Sequence, residues 1–183
     1  MMNSKYLLFG IGLFLARALN APALPEVTLD LVIRYGNGNK GEVEKLIKGG
    51  ADVNVADHLG RTPLWWAIEE GDKEIVELLI KGKADVNKAG RVGRTPLKLA
   101  IEKGNKEIVE LLIKAKANVN EVGLHGLTPL LMAIEEGNKE IVDLLIKGGA
   151  NVNEADTFGR TPLKLAIEKG NKEIIELLRK AGA

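Results

Sequence analysis

The sequence predicts an all-α solenoid in which about five helix-turn-helix units, joined by hairpin-type loops, stack side by side. Two observations predict it. The tripeptide Thr-Pro-Leu recurs every 33 residues, at Thr62, Thr95, Thr128 and Thr161. The segment GRTPLKLAIEKGNKEI occurs twice, at 93–108 and 159–174. Such a period is typical of repeat proteins, in which one helix pair cannot bury its apolar face and the core forms between stacked neighbours.

The second repeat illustrates why each unit is expected to contain two helices. Thr62 can cap a helix start, and Pro63 fits the first turn because it loses no hydrogen bond there. We predict a helix over 63–70 that ends at Gly71, whose backbone can adopt the required open conformation. A second, amphipathic helix is predicted over 73–81, where apolar residues follow helical spacing. The GKADVN sequence after it cannot continue a helix and leads into the next loop.

The two ends of the array are more polar than its middle, as the terminal units of a solenoid must be. Arg34 stands where later repeats have Ala, and Lys45 stands where they have Leu. Arg179 replaces an Ile of the internal repeats. We therefore predict a repeat domain over 24–183, with a capping repeat at 24–56, internal repeats at 57–89, 90–122 and 123–155, and a closing repeat at 156–183.

Residues 1–23 form a separate segment with the pattern of a secretory signal peptide. Lys5 is followed by an apolar run over 6–16 and then by small residues. This run is shorter than the roughly 20 residues that span a bilayer, and cleavage after Ala18 or Ala21 fits best. We therefore expect export to the periplasm or the exterior rather than a cytoplasmic location. The alternative is a retained apolar helix that covers the first repeat or anchors the chain in a membrane.

Composition and motifs argue against several functions. Lys and Arg number 26 against 25 Asp and Glu, so no net charge attracts nucleic acid. Without Cys there is no thiolate for a metal site or for nucleophilic catalysis. The two histidines, His58 and His125, fall on loop tips two repeats apart, too far to share a metal or a proton. A row of repeated glutamates lies on a solvated face: Glu69, Glu70, Glu102, Glu135, Glu136 and Glu168. We predict no catalytic residue, metal, cofactor or small-molecule substrate.

The repeat resembles that of the ankyrin family over Leu24 to Ala183, with a G-x-TPL start, a Gly between its helices, an IVELLI-type second helix and a closing G-A-D-V-N. The resemblance implies a monomeric module that binds a protein partner. One departure stands out, because the His of the family's TPLH is replaced by Trp65, Lys98, Leu131 and Lys164. In the family that His helps to tie adjacent hairpins together, so these repeats must be joined in another way.

The loop-tip triplets vary more between the repeats than any other positions. In ankyrin proteins the tips and the first helices form the concave contact surface, and the resemblance implies two contact rows here. The tip row comprises Leu59, Val92, His125 and Phe158, and the arginine row comprises Arg61, Arg94, Leu127 and Arg160. The arginines would suit carboxylates of a partner, or they pair with the neighbouring glutamates. We expect Trp66 in the core, whereas Trp65 fits either a filler between repeats or an anchor for the partner.

These features predict an exported module that binds a specific protein, of which an immunity-type protein that inhibits or protects an exported enzyme is one instance by analogy. The alternative is a structural scaffold held at a membrane by a retained N-terminal helix.

Overall fold

The computed structural model describes residues 28–35, 39–90 and 93–183. The segment over 1–23, including its predicted cleavage sites, lies outside the described residues. Over the described ranges the chain contains ten α-helices and no strand, so the predicted all-α repeat architecture is confirmed. The first helices of the five pairs are α1 (Leu29–Tyr35), α3 (Pro63–Glu69), α5 (Pro96–Glu102), α7 (Pro129–Glu135) and α9 (Pro162–Glu168). The second helices are α2 (Lys40–Lys48), α4 (Lys73–Lys81), α6 (Lys106–Lys114), α8 (Lys139–Lys147) and α10 (Lys172–Lys180).

Local sequence determines where each helix begins and ends. The Thr62 side chain accepts a hydrogen bond from the backbone N–H of Trp65 at 3.2 Å, with Pro63 in the first turn of α3. Gly71 adopts a φ of +73°, a conformation that most residues avoid, and α3 ends at Glu69, slightly before the predicted boundary. Asp72 then caps α4 by accepting from the N–H of Ile75 at 3.0 Å. The same order of caps recurs in the later repeats.

The helices form two layers that run along the array. Each first helix packs against the first helix of the next repeat, and each second helix against the next second helix. Identical or nearly identical helices thereby build one continuous apolar core, in which the Ile68, Ile101 and Ile134 side chains are buried at equivalent positions. No helix in the described part of the chain is long and apolar enough to cross a membrane.

Asparagine side chains in the loops after the second helices bond neighbouring repeats together. The Asn120 amide oxygen accepts from the backbone N–H of Asn151 at 2.8 Å, and its NH₂ group donates to the Gly149 carbonyl at 3.1 Å. Asn54 and Asn87 make equivalent bonds to the repeats that follow them. Because backbone groups of one repeat are satisfied by a side chain of another, the seam favours a fixed register between repeats.

We expect Asn120→Ala to lower the free energy of unfolding by about 1–2 kcal/mol, because two backbone groups of the next repeat lose their partner. Urea denaturation measures the change. Asn153 is the matched control: it occupies the same repeat position, and its side chain makes no bond to another repeat within the described ranges. An equal loss in Asn153→Ala would show that the cross-repeat bonds do not stabilise the array.

The ends of the array carry the polar substitutions in two different ways. Lys45 and Arg179 are exposed, as a polar outer face requires. Arg34 is instead half-buried, and its guanidinium lies 3.9 Å from the centroid of the Trp66 ring. The prediction that Trp66 belongs to the core is confirmed, since only 8% of its surface is exposed. Arg34 thus covers the core through a cation–π contact.

Candidate functional site

The hairpin tips of repeats four and five lie against each other and expose large apolar side chains. The backbone N–H of Thr157 donates to the His125 carbonyl at 3.0 Å, and the rings of His125 and Phe158 lie 6.3 Å apart. Phe158 is 69% exposed and Leu124 is 61% exposed. We call Leu124, His125 and Phe158 the apolar tip patch. Of the other members of the predicted tip row, Leu59 is half-buried and Val92 lies outside the described residues.

Two members of the predicted arginine row bind an aspartate at the start of their own hairpin. The Nε atoms of Arg61 and Arg160 donate to Oδ2 of Asp57 and Asp156, each at 2.7 Å. Each aspartate also accepts two backbone N–H bonds within the loop. Burial opposes ionisation of these carboxyls, but the hydrogen bonds outweigh it and hold the pKa of both below its ordinary value. These arginines therefore stabilise hairpins.

The remaining arginine pairs with a glutamate of the first-helix face. Repeat three begins its hairpin with Gly90 instead of Asp, and Arg94 forms an ion pair with Glu102. Arg160 also lies 3.7 Å from Glu135. All three arginines of the row thus have an acidic partner within the chain, and their contact with a partner protein stays a prediction. Leu127, the fourth member of the row, is half-buried and packs against the core.

Trp65 is half-buried at the edge of the core. Its ring meets that of Trp66 edge-on, with centroids 4.9 Å apart. The Arg61 guanidinium lies 5.5 Å from the Trp65 centroid and 4.3 Å from that of Trp66. Trp65 therefore fills space beside the core and keeps a partly exposed surface, so the geometry is compatible with both predicted roles.

A cleft between repeats three and four was not predicted from the sequence. It has a volume of about 390 Å³, with Arg94, Lys98 and Glu102 on one side and Leu124, Leu127 and Met132 among its apolar lining. Lys98 is one of the residues that replace the His of TPLH. Its side chain is 4% exposed, and its Nζ donates to the Gly93 carbonyl at 3.4 Å. Burial lowers the pKa of Lys98, although the Glu121 carboxylate partly offsets this.

Stacking, and not local sequence, buries this lysine. Lys164 occupies the same place in the identical segment of repeat five, yet it is exposed. Lys98 is covered by the hairpin of repeat four, where a Cβ atom on Gly123 would lie 2.8 Å from Nζ. A sequence signal was present in retrospect, since Gly123 replaces the hairpin Asp found at positions 57 and 156.

The rest of the first-helix face carries paired charges. Glu69 of the predicted glutamate row accepts from Lys103 of the next repeat at 2.6 Å. The second helices are joined by similar bonds, between Lys40 and Glu74 and between Lys139 and Glu173. Across the described ranges no group of three or more His, Asp or Glu residues is arranged to hold a metal ion. The glutamates of this row lie in ion pairs or in solvent.

Comparison with known families agrees with this architecture. Residues 29–123 and 115–183 match the model of a family described as ankyrin repeats (3 copies). The chain belongs to the ankyrin-repeat family. Ankyrin repeats are generally protein–protein interaction modules and are typically not enzymes. A comparison with curated proteins found no match.

Proposed function

We propose that this ankyrin-repeat protein binds one specific protein partner through its hairpin tips and first helices, without a cofactor and as a monomer. The observation that carries the proposal is the apolar tip patch. Leu124 and Phe158 are large apolar side chains held in solvent by neighbouring loops that are bonded to each other. Exposed apolar clusters with a polar surround are a mark of protein interfaces.

The arrangement of charge supports the same surface. The second helices carry ion pairs along and between them, including Lys48 with Glu44 at 2.8 Å and Lys114 with Glu110 at 2.7 Å. Surfaces covered by such solvated pairs are poor contact sites, because both charges would have to be desolvated. The tip patch adjoins the cleft of repeats three and four, where Leu124 is shared between them. A partner that rests on the tips therefore also covers the cleft.

Serine substitution of the tip patch tests the proposal. We expect the double variant Leu124→Ser, Phe158→Ser to bind the native partner at least about 30-fold more weakly, corresponding to about 2 kcal/mol. The substitutions remove the apolar side chains that the partner would bury in the interface. The measurement is affinity capture from the native extract, followed by titration of the captured protein against each variant.

Ile167→Ser is the matched control, because Ile167 is also a large exposed apolar residue but occupies the position at which Ile101 and Ile134 are buried between stacked first helices. It should bind the partner as tightly as the unchanged chain. Charge reversal of Arg61 or Arg160 is a poor test, since the new carboxylate would face Asp57 or Asp156 and disturb the hairpin. Equal binding by the tip variant and the control would refute the tip patch as the contact surface.

The proposed location follows from the composition of residues 1–23. With a signal peptide at its start, the chain is exported, and its partner is an exported protein that the ankyrin array inhibits or protects. N-terminal sequencing of the protein from its source tests this. A first residue near position 19 or 22 supports cleavage. A start at Met1 in a membrane fraction instead supports the scaffold anchored by a retained helix.

A further inference from the structure

The Lys98 ammonium group is a buried charge without a counter-charge in contact. It is 4% exposed, and no carboxylate of the described residues lies within ion-pair distance of Nζ. One hydrogen bond, to the Gly93 carbonyl at 3.4 Å, serves its three N–H groups. Buried lysines in folded proteins are usually paired, because removing an ammonium group from water costs several kcal/mol. Lys98 therefore has an unfilled capacity to bind an anion.

Arg94 adds a second donor to the same cleft. One Nη atom of Arg94 is engaged by Glu102, whereas its Nε is buried and has no acceptor among the described residues. Both Arg94 and Lys98 line the cleft. Two cationic side chains thus line one cavity, and both attract a carboxylate placed in it.

In two other repeats the hairpin arginine binds a carboxylate of the chain itself. Asp57 and Asp156 begin the hairpins of repeats two and five and accept bonds from the arginine of the same hairpin. Repeat four has Gly123 at that place, and the position of a Cβ atom there would be 2.8 Å from the Lys98 Nζ. Repeats three and four thus lack the hairpin carboxylate, and the Lys98 Nζ occupies the space where a side chain at position 123 would begin.

We infer that the cleft between repeats three and four binds an aspartate or glutamate side chain of the protein partner, with Lys98 and Arg94 as the donors. Leu124, Leu127 and Met132 line the same cleft and suit the methylene stem of such a residue. The inference rests on the proposed function, since it identifies part of the same contact surface.

A polyanion fits the cleft less well than a single acidic side chain. The whole chain has a formal net charge of +1, so no long-range field attracts a phosphate backbone. Arg94, Lys98 and Glu102 together give the cleft lining one net positive charge, which one carboxylate neutralises and a second would reverse. One carboxylate on an otherwise apolar segment matches both the donors and the lining.

Three short peptides test the inference without the native partner. The probes are acetyl-Leu-Glu-Leu-amide, its neutral analogue acetyl-Leu-Gln-Leu-amide, and acetyl-Leu-Gly-Leu with a free C-terminal carboxylate. Their binding is followed by nuclear magnetic resonance of the Gly123, Leu124 and Leu127 amides. We expect the Glu peptide to bind at least about ten-fold more tightly than the Gln peptide. The bound Glu carboxylate should also raise the pKa of Lys98, measured at its Nζ. The charges of Arg94, Glu102 and Glu121 act on this group in the free and the bound protein alike.

Two variants locate the effect. Lys98→Met removes the charge while keeping the buried stem, and it should lose at least about ten-fold in Glu-peptide binding. Lys164→Met, the same change in an identical sequence at an exposed site, should leave binding unchanged. Gly123→Asp places a carboxylate beside Lys98, whose Nζ must shift because the new Cβ would lie 2.8 Å from it, and the variant should abolish peptide binding. Gly123 has φ −97°, which Asp adopts readily.

Equal binding of the Glu and Gln peptides, or an unchanged affinity in Lys98→Met or Gly123→Asp, overturns the inference. Tighter binding of the peptide with the free C-terminal carboxylate also overturns it, because the cleft would then select a chain end and not an acidic side chain. These peptide results do not depend on capture of the native partner. A failure of the cleft can therefore be told apart from a failure of the tip patch.

Discussion

Replacing Ile101 by Ala is expected to lower the free energy of unfolding by about 3 kcal/mol, whereas Ile167→Ala should cost less than about 1 kcal/mol. Both residues lie in the helix sequence PLKLAIE, in α5 and α9. Ile101 is 1% exposed because α7 of the following repeat covers it, but Ile167 is 54% exposed and no further helix stacks on α9 in this structure. The difference therefore isolates the contribution of stacking from that of local sequence.

Urea denaturation followed by far-ultraviolet circular dichroism measures both variants. Because helix propensity and the seven-residue sequence are the same at the two sites, any effect of Ala on the isolated helix cancels in the comparison. Ile134→Ala, at the buried position of the next repeat, should match Ile101→Ala. Equal costs at positions 101 and 167 would mean that the pairs are stable without their neighbours, and the solenoid interpretation would be wrong.

The helices were predictable because their signals are local and repeated. Thr62 with Pro63, followed by Gly71, marks the first helix of its repeat at both ends, and the structure confirms a helix there. The exact end of the helix was misplaced slightly, since Glu70 caps the helix and does not continue it. Most core positions follow from the same period, as the buried Ile68, Ile101 and Ile134 show at intervals of 33 residues.

The candidate site was less predictable, because it depends on contacts between repeats. Identical sequence surrounds Lys98 and Lys164, and only the hairpin that covers Lys98 makes the two differ. The arginine row is another case, since a partner carboxylate and the chain's own Asp57 offer Arg61 the same bond. Which carboxylate binds Arg61 depends on the distance between the side chains, and the period of the sequence does not give that distance. The packing between repeats must therefore be known before these roles can be assigned.

Gly126→Ala is expected to lower the free energy of unfolding by about 3 kcal/mol, through strain and a collision that act together. Gly126 has φ +76°, which costs an alanine roughly 1–2 kcal/mol. A Cβ atom there would also lie 2.8 Å from the Thr157 backbone nitrogen and 3.0 Å from Cα of Asp156. Because these are backbone atoms, the hairpin of repeat five must move away. The bond from the Thr157 N–H to the His125 carbonyl should break, which faster hydrogen exchange of Thr157 would report.

Gly159→Ala separates the two causes. Gly159 occupies the equivalent hairpin position with φ +70°, but nothing lies within 4 Å of its Cβ site, so the change should cost about 1 kcal/mol from backbone strain alone. The surplus in Gly126→Ala then measures the close approach of hairpins four and five. Since that approach also juxtaposes His125 and Phe158, the same variant should weaken partner binding where Gly159→Ala does not. Equal stability and equal exchange in the two variants would mean that the tips are not packed against each other in solution.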